Sequence, residues 1–113
     1  MKIAKGEKHE VSTLILQTII FICVTEETNV KILPPRFMKK FYAIINKEFQ
    51  HSAVIHFADE KVIDIDLFIA VEYHQPILEV CRMLQLKIKN EIEILTGYHV
   101  RNVHISVDGL WKK

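Results

Sequence analysis

"VIDIDLFIAVEYHQPI", residues 62–77, decides the fold. Ile63, Ile65, Leu67, Ile69, Val71 and Tyr73 take every second position, and Asp64, Asp66, Phe68, Ala70 and Glu72 fill the gaps. A period of two is the signature of a strand with one buried face. A helix would scatter those apolar side chains around its circumference. The carboxylates of Asp64, Asp66 and Glu72 therefore point away from the core and stay hydrated.

The stretch before it, "HSAVIHFA", also alternates: Ala53, Ile55 and Phe57 on one side, Ser52, Val54, His56 and Ala58 on the other. "ADEK" is a short polar connection, so residues 52–58 and 62–73 are predicted to form a hairpin. Val103, Ile105 and Val107 alternate with Asn102, His104 and Ser106, which predicts a third strand ended by Asp108-Gly109.

Between these strands the spacing predicts a helix over 76–96. Pro76 suits a first turn and Gly97 the position just past the end. At about 100° per residue, Ile77, Cys81, Leu84, Ile88, Ile92 and Leu95 make one stripe, with Val80 beside it. Met83, Leu86 and Ile94 project off that stripe. Neighbouring loops cover them, or they form a second contact surface for another subunit or partner.

Residues 12–27, "STLILQTIIFICVTEE", carry the β-branched content of a strand and the length of a helix. Length favours helix, with Ser12 as its N-cap and Asn29 placed for a left-handed turn after its end. Apolar all round, it is expected to lie sandwiched between layers. The apolar run Leu14–Val24 falls short of the ~20 residues a bilayer needs. "TEETNV" offers no cleavage site for a signal peptide.

Residues 34–49 open with prolines and space Phe37, Phe41, Ile45 and Phe49 about four apart, which predicts an amphipathic helix. Lys31, Arg36, Lys39, Lys40 and Lys47 face Glu48 alone across 31–50. This basic surface suits anionic lipid headgroups, a phosphate backbone or an acidic partner; such helices more often dock their apolar side and solvate their lysines. No GxxG loop supports a K-homology RNA site, so nucleic acid is the less favoured partner.

The chain of 113 residues predicts a single domain spanning 1–113. Half its residues are hydrophobic, and Lys plus Arg number 15 against 14 Asp plus Glu. A net charge of +1 argues for no particular polyanion, and it makes self-association easier. Cys23 and Cys81 sit in apolar stretches and read as buried thiols of a reducing compartment.

Four polar residues share the outward face. Asp64 and Asp66 lie about 6.5–7 Å apart along their strand, with His56 and His104 on the matching faces of theirs. Suitable pairing would make them a divalent-metal site or an acid–base set; the competing reading is a hydrated sheet face. Nothing resembles a nucleophile elbow or a phosphate-cradling glycine loop. The chain is read as no enzyme, with no cofactor. Trp111 with Lys112 and Lys113 is either a loose end or an interface anchor. Tyr73 is read as core with its hydroxyl at the edge, and Glu72 as surface.

The ordered set Ile65-Asp66-Leu67, Val71-Glu72-Tyr73, Gln85, Thr96-Gly97-Tyr98 and Val103 to Leu110 resembles the alkaline shock protein family of Gram-positive bacteria and their relatives. That family shows "VDL", "VEYG", a helix with a Gln, "TGL" and a "VNVxVxGV" strand, and "VSTLILQTII" fits its first helix. The likeness covers about residues 6–30 and 51–110, and members vary across 31–50. Here His74 stands for the glycine of "VEYG", Asn29 for a glycine after the first helix, and His104 for the usual Asn.

The resemblance implies an α+β fold: a small, mainly antiparallel sheet of three to four strands with helices packed on it, in the order β-α-(α)-β-β-α-β. It implies a non-enzymatic cytoplasmic scaffold tied to envelope or general stress. Such a protein would self-associate and meet a protein partner, in some members a membrane-anchored one, with no transmembrane segment of its own. Phe68, Ala70, Met83, Leu86 and Ile94 are the candidate interface.

Overall fold

Ile63, Ile65, Leu67, Ile69 and Val71 are all 0% exposed, so the two-residue rhythm does line the core. A computed structural model describes residues 5–33 and 53–112. Its elements are helix α1 (Lys5–Thr25), strands β1 (Val30–Leu33), β2 (Val54–Phe57) and β3 (Val62–Glu72), helix α2 (Ile77–Thr96) and strand β4 (His99–Trp111). The α+β class and the mainly antiparallel sheet stand as expected. The strand placed first in the expected order would precede α1, outside the described residues. The helix predicted over 34–49 and its Arg36, Lys39, Lys40 and Lys47 also lie outside them.

β3 is the centre of the four-stranded sheet. Along one edge it pairs in parallel with β4 over its whole length. Parallel strands need a crossover, and the 20-residue α2 supplies it. The other edge is shared. β1 covers its C-terminal half and β2 its N-terminal half, both antiparallel. Leu33 sits opposite Phe68 and Val54 opposite Asp66, so only Leu67 separates their partners. β1 and β2 are two halves of one interrupted edge strand. Residues 34–52, between these two halves in sequence, lie outside the described residues.

Both helices cover the face that carries Ile63 to Val71. Leu16, Ile20 and Val24 of α1 join Leu84, Ile88 and Ile92 of α2 in one buried cluster with β3. The helices run antiparallel to each other: Lys87 of α2 meets Glu26 and Glu27 just past α1, while Tyr98, past α2, donates its hydroxyl to Ser12 Oγ at 3.1 Å.

Several local expectations are corrected. Ser12 is no N-cap, because α1 begins at Lys5 and Ser12 sits in its interior. α1 is not sandwiched, since Val11, Leu14, Ile15 and Ile22 on its outer side are exposed. Asn29 takes no left-handed turn: His74 is the one non-glycine with positive φ among the described residues, at 76°. Asn29 instead donates from Nδ2 to Gln75 Oε1 at 2.8 Å, tying the start of β1 to the β3–α2 turn. Asp108-Gly109 does not end the last strand, which runs on to Trp111. Ile77 and Leu95, on the predicted buried stripe of α2, are exposed in its first and last turns. Gly97 does cap α2, with φ 78° and its N–H donated to the Glu93 carbonyl.

Candidate functional site

The sheet face away from the helices divides into a polar and an apolar half. In the polar half, β3 presents Asp64 and Asp66, β2 presents His56, and β4 presents Asn102 and His104. The register shifts between Ile63 and Asp64, so Arg101 is an extra residue on β4. A bulge of this kind re-aims a side chain. Here it sends the Arg101 guanidinium onto the Asp64 carboxylate in a two-point contact, with Nε 3.1 Å from Oδ1. Asn102 Nδ2 adds a bond of 3.2 Å to the same oxygen. The Arg101 hydrogen bonds, aided by Asn102, hold the Asp64 carboxyl below the usual carboxylate range. His56 Nε2 lies 2.9 Å from Asp66 Oδ2, and His104 sits opposite Asp66 in register.

The four residues read from sequence as a metal or acid–base set do share one face. Asp64 is already engaged by Arg101 and Asn102, and one oxygen of Asp66 by His56. Among the described residues no group of three or more His, Cys, Asp and Glu side chains is placed to hold a metal ion.

In the apolar half, Phe68 is half-buried and Ala70 only 8% exposed. Ala70 is closed in by its neighbours. Gly109 lies across from it: a Cβ there would stand 3.4 Å from Ala70 Cβ and 3.8 Å from Leu33 Cδ1, ordinary contact distances. Lys31 Nζ lies 4.5 Å from the Trp111 ring centre. Trp111 is thus part of the sheet, paired with Glu72, rather than a loose end. Tyr73 is not core; it is exposed past the end of β3, against the His74 ring at 4.0 Å.

The remaining candidates lie on the other side of the molecule. Met83, Leu86 and Ile94 of α2 are 45%, 61% and 79% exposed. Leu86 lines an open groove of about 440 Å³ with Arg82, Gln85 and Lys89, facing β4 from Val100 to His104. The candidate interface therefore divides between two surfaces, with Phe68 and Ala70 on one and Met83, Leu86 and Ile94 on the other.

The floor of that groove holds residues that sequence reasoning gave no task. β4 pairs with β3 alone among the described residues, which leaves its outer backbone edge bare. Such edges invite unwanted pairing. Gln85 Nε2 donates to the Val103 carbonyl at 2.9 Å, and the Val100 N–H donates to Glu93 Oε2 at 2.9 Å. Glu93 also sits 3.0 Å from His99 Nδ1. The Val100 N–H holds the Glu93 carboxyl below its usual range. Gln85 was visible as a family motif residue, but no periodicity reveals that a helical glutamine caps a strand edge.

Residues 2–111 match the model of the alkaline shock protein 23 family, described as having a cell envelope-related function. This is the family that the sequence motifs resemble. No curated protein and no solved structure matches the chain.

Proposed function

The chain belongs to the alkaline shock protein 23 family, whose function is cell envelope-related, and from that premise we propose that it works as a non-catalytic interaction module. It associates with itself and with a protein partner, anchored in the membrane, that brings it to the cytoplasmic side of the envelope. The observation that carries this reading is the outer surface of α2. Met83, Leu86 and Ile94 stand well exposed on a helix whose opposite side already fills the core. Large apolar side chains grouped on a surface mark contact sites. The carboxylates that would do chemistry instead have structural partners, as Asp64 has in Arg101. No described helix is long and apolar enough to cross a membrane.

Light scattering over a wide range of concentrations tests the reading. The wild-type mass should rise with concentration, and Leu86→Glu should hold it lower. A wild-type mass that stays at one chain throughout would refute self-association.

A further inference from the structure

Among the described residues the sheet stops at the outer edge of the 13-residue β4. The pairing of β4 with β3 shifts register at Arg101 and again before Gly109, so Asn102 to Val107 is a regular run between two irregularities. That is about the length of an ordinary strand. The Val103 carbonyl faces outward, since Gln85 reaches it from α2. Backbone direction alternates along a strand, so the N–H and C=O groups of Ile105 and Val107 face outward as well. Among the described residues α2 caps this edge only at Val100 and Val103.

The groove beside the edge is basic. Arg82, Gln85, Leu86 and Lys89 recur at the three- and four-residue steps of one helix face and form its α2 wall. Arg101 and His104 join from β4, and the lining holds no carboxylate. Asp64 already neutralises Arg101. Arg82 is exposed and has no ion-pair partner among the described residues. Lys89 meets Glu93 only at a distance.

We propose that the β4 edge and this groove take an extended, acidic segment of a partner protein, added to the sheet as a further strand. This rests on the reading of the chain as a non-catalytic interaction module, and it adds where one partner sits and what chemistry it carries. The segment's backbone bonds to the outward groups of Ile105 and Val107. The Val103 carbonyl has a second lone pair, so a visiting N–H can share it with Gln85. Side chains alternate along an added strand, so acids at every second position all face Arg82 and Lys89. A second copy of the chain is the wrong occupant, because two-fold pairing along this edge sets Arg82 and Lys89 against the same bases. A single nucleic-acid strand fits less well, since the lining offers no Phe, Tyr or Trp for its bases to stack on.

Fluorescence anisotropy on the full chain, with a short labelled peptide alternating Glu and Thr, tests the site. The peptide should bind, and its counterpart with Lys for Glu should not. Arg82→Glu/Lys89→Gln should weaken binding ~tenfold or more, with circular dichroism showing the variant folded. Methylating the backbone nitrogen of every Glu removes one set of donors, and of every Thr the other. Only one set faces β4, so one of the two methylated peptides should lose binding. Amide NMR shifts should centre on Ile105 and Val107. Equal binding of the Glu and Lys peptides, two methylated peptides that both bind like the parent, or shifts confined to other surfaces would overturn the proposal. An oligouridylate that binds more tightly than the peptide would assign the groove to nucleic acid instead. A chain that gains mass with concentration but ignores the Glu peptide loses this site alone. One that binds the peptide yet keeps the mass of one chain loses self-association and retains the site.

Discussion

Gln85 reaches from α2 to the outer edge of β4 and donates its side-chain amide to the Val103 carbonyl at 2.9 Å. The bond joins the crossover helix to the strand it delivers, and it occupies a carbonyl that would otherwise sit on an unpaired edge. Gln85→Ala should lower stability by about 1 kcal/mol, the usual net worth of such a bond plus the cost of a carbonyl left under-satisfied. Urea unfolding at neutral pH checks this, with a lower midpoint and an unchanged slope expected.

His74 holds φ at 76°, a conformation in which a Cβ crowds the following carbonyl. The family pattern has glycine at the corresponding place, and the structure supplies the reason: the chain must turn sharply from β3 into α2. His74→Gly should therefore raise stability, by about 0.5–1 kcal/mol once glycine's extra freedom in the unfolded chain is counted against the relieved strain. The lost ring contact with Tyr73 trims the gain. Thermal unfolding of the two chains decides it, and a lower midpoint for the glycine variant would contradict the strain argument.

The parts legible in the sequence were those with a single strong period. β3 alternates over its whole length because one face is buried and the other open, and α2 is long, amphipathic and closed by Gly97. β1 was not legible. Four residues, "VKIL", carry too little pattern, and only pairing with Phe68 to Val71 makes them a strand. The parallel pairing of β4 and its bulge at Arg101 are tertiary facts with no local signal. α1 misled for a physical reason: being apolar all round predicts burial all round, yet one side is exposed. At the candidate site the sequence placed Asp64, Asp66, His56 and His104 on one face correctly. It missed the Arg101 guanidinium because an extra residue in a strand shifts everything after it.

Asp64 and Glu93 make the acid limb of stability predictable in sign. Each has its folded pKa lowered, Asp64 chiefly by Arg101 and Glu93 chiefly by the Val100 N–H. Each therefore contributes stability that is fully present above the unfolded value, about 4, and lost as pH falls through the lower folded value. Arg101→Ala frees Asp64 from its main partner. The variant should lose less stability than wild type between neutral pH and pH ~3, although it starts lower. Chemical denaturation at a series of pH values measures both slopes, and parallel curves would show that the guanidinium does not hold Asp64 down.

Lys87 joins the two helices, with Nζ 3.1 Å from Glu27 Oε1 and 3.3 Å from Glu26 Oε1. Burial pulls its pKa down, but the hydrogen bonds to Glu27 and Glu26 outweigh that and hold it above the ordinary lysine value. A raised cation pKa has the opposite sign from a lowered carboxyl. Its contribution is complete below the unfolded value, about 10.4, and fades only as pH rises through the folded one. Across neutral and mildly alkaline conditions the tie between the helices should stay intact. Lys87→Met keeps the apolar stem but loses the charge and leaves Glu26 and Glu27 to repel each other. Its expected cost is about 1 kcal/mol or less, because the group is partly exposed and screened. Unfolding in low and high salt checks the origin of the effect, since the gap between wild type and variant should narrow as salt screens the pair. A gap independent of salt would assign the loss to packing.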